Sequence, residues 1–402
     1  MRQPLTEMTG ESIQPVFWAG MRTPFAVAQR GTFKGIRPDE LLVMLIKEHR
    51  KKFSNAYQHE DGPQDLVVGC AYPEGEQGYN IARIAGLGAG LEVPGMTVNR
   101  LCGSALEAAA IAAAAVSCGR TSAWLVAGVE SMSRVPRRGA NFSESELVKV
   151  AAPQAYVTMG ETAENVARRF PRISRAAQEE FTAASHAASH RAWDAGFYDN
   201  HVLPICGLRR DESIRFPVNL EKMASLPPAF RADGLITAAT SSPMSDGAAA
   251  GLVTSERFAR ASGARSFLRI IDTVTSHVAP EIMGMGPVHA VQKLFARNKI
   301  TVDSIAAVEM NEAFAIQSMA CIDELKFPPH IVNTMGGALA LGHPLGASGL
   351  RLLMSLHERL KRLTAETSAT NLGIATLCIG GGQGIAMLCE FVTAEESHGK
   401  GI

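Results

Sequence analysis

The sequence predicts an α/β protein built in layers, on three observations. Short β-branched runs alternate with Ala-rich helical stretches, the strand–helix–strand rhythm of sheets covered by helices. One predicted helix, 103–118, carries a single charge, Glu107, and is otherwise small and apolar all round. A helix without a polar face is buried on most sides. Finally, the second half of the chain repeats the plan of the first.

The elements follow in order. Residues 66–70 (LVVGC) read as a buried strand, 80–90 as a helix, 97–99 as a brief strand entering the 103–118 helix, and 124–128 (WLVAG) as a strand again. From about Ser131 to Asp233 the texture changes. Charged helical segments at 161–170 and 174–195, and turns at Pro204, Pro217, Pro227 and Pro228, replace buried strands. This segment, 131–235, reads as a surface subdomain inserted into the first half. Strand signals resume at Leu235, and a small-residue stretch opens at Ser245-Asp246-Gly247. In the second half, 306–310 is a strand, 336–342 leads into a helix from Gly346 past Leu356, and 374–378 is a strand. Cys102-Gly103-Ser104-Ala105-Leu106 is similar to Leu345-Gly346-Ala347-Ser348-Gly349-Leu350, each at a helix start. Matches this short leave duplication open. The expected division is an N-terminal half over 13–262, carrying the insertion, and a C-terminal half over 263–392.

Composition narrows the function. Lys plus Arg is 39 and Asp plus Glu is 39 in 402 residues, so no global field favours nucleic acid or an acidic membrane. Apolar residues at 46% and charged residues at 19% exclude bulk disorder. The longest uncharged apolar stretch, 108–118, is too short to span a bilayer. The first dozen residues carry no targeting pattern, and the final HGKGI is neither a peroxisomal nor a prenylation signal. Seven cysteines without a CxxC argue against a disulfide framework or a zinc knuckle. A cytoplasmic location with reduced thiols is expected.

Four places can hold chemistry. Cys102, in Asn99-Arg100-Leu101-Cys102-Gly103-Ser104, sits at a strand-to-helix junction, where the positive helix end favours thiolate; the plain alternative is a small core residue. His343 lies among the glycines of Gly336-Gly337-Ala338-Leu339-Ala340-Leu341-Gly342-His343-Pro344 and is suited to take a proton from a thiol, unless the stretch is merely a tight loop. Cys378 ends a strand and opens onto Gly380-Gly381-Gly382. That loop offers N–H groups to an oxyanion and a thiol as acid or base, and it lacks both the Walker and the GxGxxG spacing. Asn311, directly after a strand, can orient a water or serve a turn. Two decoys remain. His186 and His190 read as a helix-surface pair without the Glu of HExxH. Arg134, Arg137 and Arg138 read as a solvated face, with a docking patch as the minority reading.

Together these pieces resemble the thiolase family, with landmarks in family order over nearly the whole chain: Arg22-Thr23-Pro24-Phe25, Val98 through Ser104, Gly128-Val129-Glu130-Ser131-Met132-Ser133, Ser245-Asp246-Gly247, Asn311-Glu312-Ala313-Phe314, Gly342-His343-Pro344 and Cys378-Ile379-Gly380. The resemblance implies two similar halves in a five-layer αβαβα sandwich with 131–235 as a loop domain. It implies CoA thioesters as substrates, no further cofactor and no metal, and a homodimer or homotetramer, with a β-oxidation multienzyme partner as an option. By resemblance, Cys102 is the acylated nucleophile, His343 its base and Cys378 the second acid/base. Asn311, through a water, and His343 form one oxyanion hole, and the N–H groups of Cys102 and Gly380 the other. Arg215, Ser242, Met283 and Phe314 contact substrate. The closest likeness is to fatty-acid β-oxidation 3-ketoacyl-CoA thiolases. The alternatives are an acetoacetyl-CoA thiolase working in the condensing direction, a decarboxylating or HMG-type condensing enzyme and a non-catalytic acyl-CoA binder. Met335, Asp272, His277, His289, Phe216, Val218 and Asn219 depart from the family pattern.

Overall fold

A computed structural model describes residues 13–366 and 370–394. The amino-terminal dozen and the terminal HGKGI, read above for targeting signals, lie outside the described residues. Ten strands form the sheet framework: β1 Pro15–Arg22, β2 Ala26–Val27, β3 Leu66–Gly69, β4 Gly95–Val98, β5 Ala123–Ser131, β6 Ser245–Ser255, β7 Ser266–His277, β8 Ala307–Met310, β9 Leu372–Ile379 and β10 Gln383–Thr393. Their order is β4-β3-β5-β6-β1-β7-β10-β9-β8, with β2 paired to β6. Strands β1 and β7 pair through only Val16↔Arg269 and Phe17↔Leu268. That short seam joins two sub-sheets, each with parallel pairs at its outer end (β4-β3-β5 and β8-β9) and antiparallel pairs towards the seam.

Side-chain alternation sets the layers. Phe17 and Trp124 of the first sub-sheet share a core with Leu268, Leu377, Ile385 and Met387 of the second, and with the helices Ser104–Ser117 and Ser348–Glu366. Those two helices are the middle layer. The opposite face of the first sub-sheet packs under helices Pro38–Lys52 and Ile81–Gly88. The opposite face of the second packs under Gly286–Asn298 and Ala315–Leu325. Helix, sheet, helix, sheet, helix makes the five-layer α/β sandwich.

The all-apolar helix is therefore central, as its composition requires. Close approach inside the sandwich depends on missing side chains. A Cβ on Gly349 would lie 2.4 Å from the Leu106 nitrogen, and one on Gly128 would lie 2.1 Å from the Gly346 carbonyl oxygen. The start of the second central helix is thus pressed onto the first and onto β5.

Between β5 and β6 the chain forms helices, among them Met159–Arg169 and Arg175–Asp194, and no named strand among the described residues. Thr158 and Glu161 make a reciprocal capping box at Met159. The strand expected at Leu235 does not form. The buried Glu164 carboxylate takes the N–H groups of Leu235 and Ile236, at 3.0 Å each, and only an isolated bridge, Pro228↔Thr237, remains. The next strand is β6, whose Ala and Gly residues lie fully buried between β5 and β1.

Candidate active site

Four loop ends converge at one end of the two sub-sheets. Cys102 lies between β4 and the Ser104–Ser117 helix, after Leu101 at a positive φ of 43°. Cys378 is the last residue but one of β9, and Gly381 and Gly382 turn the chain at φ of 77° and 81°. Asn311 follows β8, its N–H bonded to the Thr376 carbonyl of β9. His343 follows Gly342, whose φ of 101° only glycine adopts freely. The His343 N–H then donates to Ser245 Oγ at 3.1 Å.

A cavity of about 530 Å³ is lined by Cys102, His343, Cys378, Gly380, Ser242, Met283 and Phe314. Residues from six separate stretches of the chain thus share one space. Asn311 stands behind the histidine, its Nδ2 3.3 Å from His343 Nε2. Arg215 stands outside this space. It lines a neighbouring cavity of about 620 Å³ with Arg30, Lys222 and Asn219, and the two cavities meet at Pro243.

The hydrogen-bond network assigns the protons. Ser348 Oγ donates to the Pro344 carbonyl at 2.8 Å and lies 2.6 Å from His343 Nδ1. With its only proton spent, Ser348 can only accept from Nδ1–H, so His343 Nε2 is the bare, basic nitrogen. Arg351 Nη2 donates to Asn311 Oδ1 at 3.1 Å, which turns the Asn311 amide nitrogen towards Nε2. Arg351 is fully buried beside Glu309 and Arg359. Burial lowers His343 to about 3, and the Arg351 charge lowers it further, so the imidazole is neutral at physiological pH.

The Cys102 sulfur behaves differently from the expectation of a favoured thiolate. Burial pushes its pKa up to about 11, although the N–H groups of Gly380 and of Cys102 itself point at the sulfur and pull the other way. The buried Glu130 carboxylate adds to the rise. Loss of solvent outweighs the helix end and two donors. Burial also raises Cys378 well above the ordinary thiol, and a charge on Cys102 would raise it further. The resting site therefore holds two thiols and a neutral imidazole.

Glu130 ties the walls together. It accepts from the N–H groups of Ala71 and Gly346, at 2.8 and 2.9 Å, and from Gln77 Nε2 at 2.7 Å. Glu312 does the same between Ser185 of the inserted segment, Asn333 and the Leu339 N–H.

The sequence reading passed over Ser348, Arg351 and Tyr72. Ser348 was within reach, since a serine five residues after a histidine at a helix start faces back on it. Two decoys also change character. His186 is buried, its Nδ1 accepting the Arg215 N–H at 3.1 Å, while His190 stacks on Phe216. Arg134 and Arg137 are exposed, as a solvated face would be, but Arg137 and Arg138 also line the Cys102 cavity. Among the departures, the Met335 carbonyl accepts from Tyr198, and Asp272 pairs with Arg297. Neither residue lines the cavity.

The chain is similar to known proteins over nearly its whole length. Residues 16–257 match the family model "Thiolase, N-terminal domain", and 264–391 match "Thiolase, C-terminal domain". A 3-ketoacyl-CoA thiolase of Bacillus subtilis is 36% identical over 94% of this chain and 99% of its own length. A beta-ketoadipyl-CoA thiolase of Escherichia coli is also 36% identical, over 93% of this chain and 98% of its own. The crystal structure of the Bacillus anthracis acetyl-CoA acetyltransferase superposes with a TM-score of 0.83 at 32% identity, covering 95% of this chain and 99% of that one.

Proposed function

Because this chain belongs to the thiolase family, we propose that it cleaves a 3-ketoacyl-CoA with CoA into acetyl-CoA and a shortened acyl-CoA, through an acyl group held on Cys102. The observation that carries the reading is the single cavity shared by Cys102, His343, Cys378 and the Gly380 turn. In its family the chain is an acyltransferase working on CoA thioesters.

The chemistry follows from the proton assignment. Cys102 starts as a thiol, so its proton passes to His343 Nε2 as the sulfur attacks the C3 carbonyl, not beforehand. The C3 oxygen takes over the N–H groups of Cys102 and Gly380 that now point at the sulfur. The C2–C3 bond breaks, and the acetyl-CoA enolate oxygen is held by His343 and, through a water, by Asn311. Cys378 gives its proton to C2, and the resulting thiolate takes one from incoming CoA. The CoA sulfur then attacks the acyl group, and His343 returns its proton to Cys102. Every proton is accounted for, and the two thiols divide the work.

The two cavities suit a CoA thioester. Its anionic nucleotide end finds Arg30, Arg215 and Lys222 in one, and its pantetheine arm passes Pro243 and Ser242 into the other. Strand β4 is one of the two end strands of the sheet among the described residues, and all four of its residues are half-buried. An unpaired edge of that kind supports a homodimer.

Thiolysis of a chain-length series from acetoacetyl-CoA upward tests the reading. The β-oxidation assignment predicts turnover of the longer members, and activity on acetoacetyl-CoA alone would favour the condensing alternative. Cys378→Ala separates the HMG-type rival: the proposal predicts a loss of roughly 10²–10⁴-fold, and intact condensation and thiolysis would contradict it. The binder alternative loses its motive, since Met335 and Asp272 stand away from the cavity.

A further inference from the structure

Three arginines follow β5, and their charges are answered unequally. Arg134 is clamped on Glu76 through two nitrogens. Arg138 donates to the Tyr156 carbonyl, faces Glu144 at 3.6 Å and lies over the Phe142 ring. Arg137 lines the cavity of Cys102, yet its guanidinium has no acidic partner and no hydrogen bond among the described residues.

Tyr72 stands on the same wall. Its phenol oxygen lies within reach of the Arg138 backbone N–H, and the Cys102 sulfur and the Arg137 guanidinium are near enough to act on it, the first raising and the second lowering its pKa. Burial raises it to about 12, so the hydroxyl keeps its proton, and no acceptor among the described residues takes it. A free cation and a free O–H donor therefore face a cavity whose other walls include Met132, Val157, Met159, Met283 and Phe314. Such a pair matches a carboxylate, which accepts from both.

Two parts of a CoA thioester can carry an anion, the nucleotide phosphates and the far end of the acyl group. The phosphates have their own cations across Pro243, and neither Tyr72, Arg137 nor Arg138 lines that second cavity. We propose that Arg137 and Tyr72 select acyl groups ending in a carboxylate, so that the favoured substrates are CoA thioesters of 3-keto dicarboxylic acids. This rests on the thiolase reading and adds the identity of the acyl group.

Binding and turnover test the two levels separately. Adipyl-CoA and hexanoyl-CoA match in length, differ in the terminal group, and lack the 3-keto group needed for cleavage. Calorimetry on the wild-type protein is expected to show adipyl-CoA bound roughly 10- to 100-fold more tightly, the range of a charge-assisted hydrogen bond. Arg137→Met, a change at an exposed position, should erase that preference and leave hexanoyl-CoA within roughly threefold of wild type. Arg137→Lys should restore part of it. Equal affinities in the wild type overturn the proposal. So does an Arg137→Met variant that weakens both thioesters alike, which would assign the guanidinium to the CoA phosphates. Thiolysis of 3-ketoadipyl-CoA and 3-ketohexanoyl-CoA reads the reaction itself. Cleavage of neither, with the binding preference intact, would refute the thiolysis reading and leave the selectivity standing.

Discussion

Replacing Ser348 with alanine removes one oxygen and should disarm the site without unfolding it. The serine is fully buried, donates to Pro344 and accepts from His343 Nδ1. In Ser348→Ala the Nδ1–H has no acceptor, at a cost of about 1–3 kcal/mol. The imidazole can escape by moving its proton to Nε2, but Nε2 faces the amide nitrogen of Asn311. Rotating that amide would break its bond from Arg351. Neither tautomer is comfortable, and the basic one is now disfavoured by most of that energy. The expected result is a kcat about 10- to 100-fold lower, with KM for CoA within roughly threefold of wild type. Steady-state thiolysis with CoA varied reads both constants. A thermal midpoint lowered by only about a few degrees would show that the fold survives. A kcat within roughly threefold of wild type would refute the tautomer assignment.

Two further predictions follow from burial. Since the Cys102 thiol is held near 11, its alkylation by iodoacetamide, followed on the Cys102 peptide, should accelerate about tenfold per pH unit from neutrality to pH ~9; a plateau below pH ~8 would mean a stabilised thiolate after all. His49 is fully buried between Tyr57 and the Ala19 carbonyl and is lowered to about 4. Its folded value lies below its unfolded one, so its contribution to stability is whole above pH ~6.5 and is lost as the pH falls towards 4. The destabilisation caused by His49→Gln, measured by urea unfolding, should therefore shrink by about 2 kcal/mol between pH ~7.5 and ~5; an unchanged difference would contradict the burial argument.

Much of the layering was legible because it follows from side-chain size and alternation. The 103–118 segment had to be central, since nothing on it tolerates water. The four chemical loops were legible because glycine density and strand ends mark where a chain can be approached closely. What stayed hidden depends on partners remote in sequence. Leu235 reads as strand until Glu164, on a different helix, takes its N–H. Cys102 reads as a thiolate from its helix junction, but the degree of burial that reverses this is a property of the assembled cavity. Arg137 is exposed as read, but a charge cluster does not disclose that Arg137 and Arg138 also border the cavity of Cys102. His186 reads as surface because its acceptor role depends on the Arg215 backbone arriving from the far side of the inserted segment.

The measurement that reaches the centre of this account is a search for the covalent intermediate. The protein is mixed with a 3-ketoacyl-CoA in the absence of free CoA, quenched in acid and digested, and its seven cysteines are read by mass spectrometry. The account predicts the shortened acyl group on Cys102, its disappearance when CoA is added before the quench, and no adduct in Cys102→Ala. An acyl group on Cys378 or another cysteine, or none on any, would contradict it.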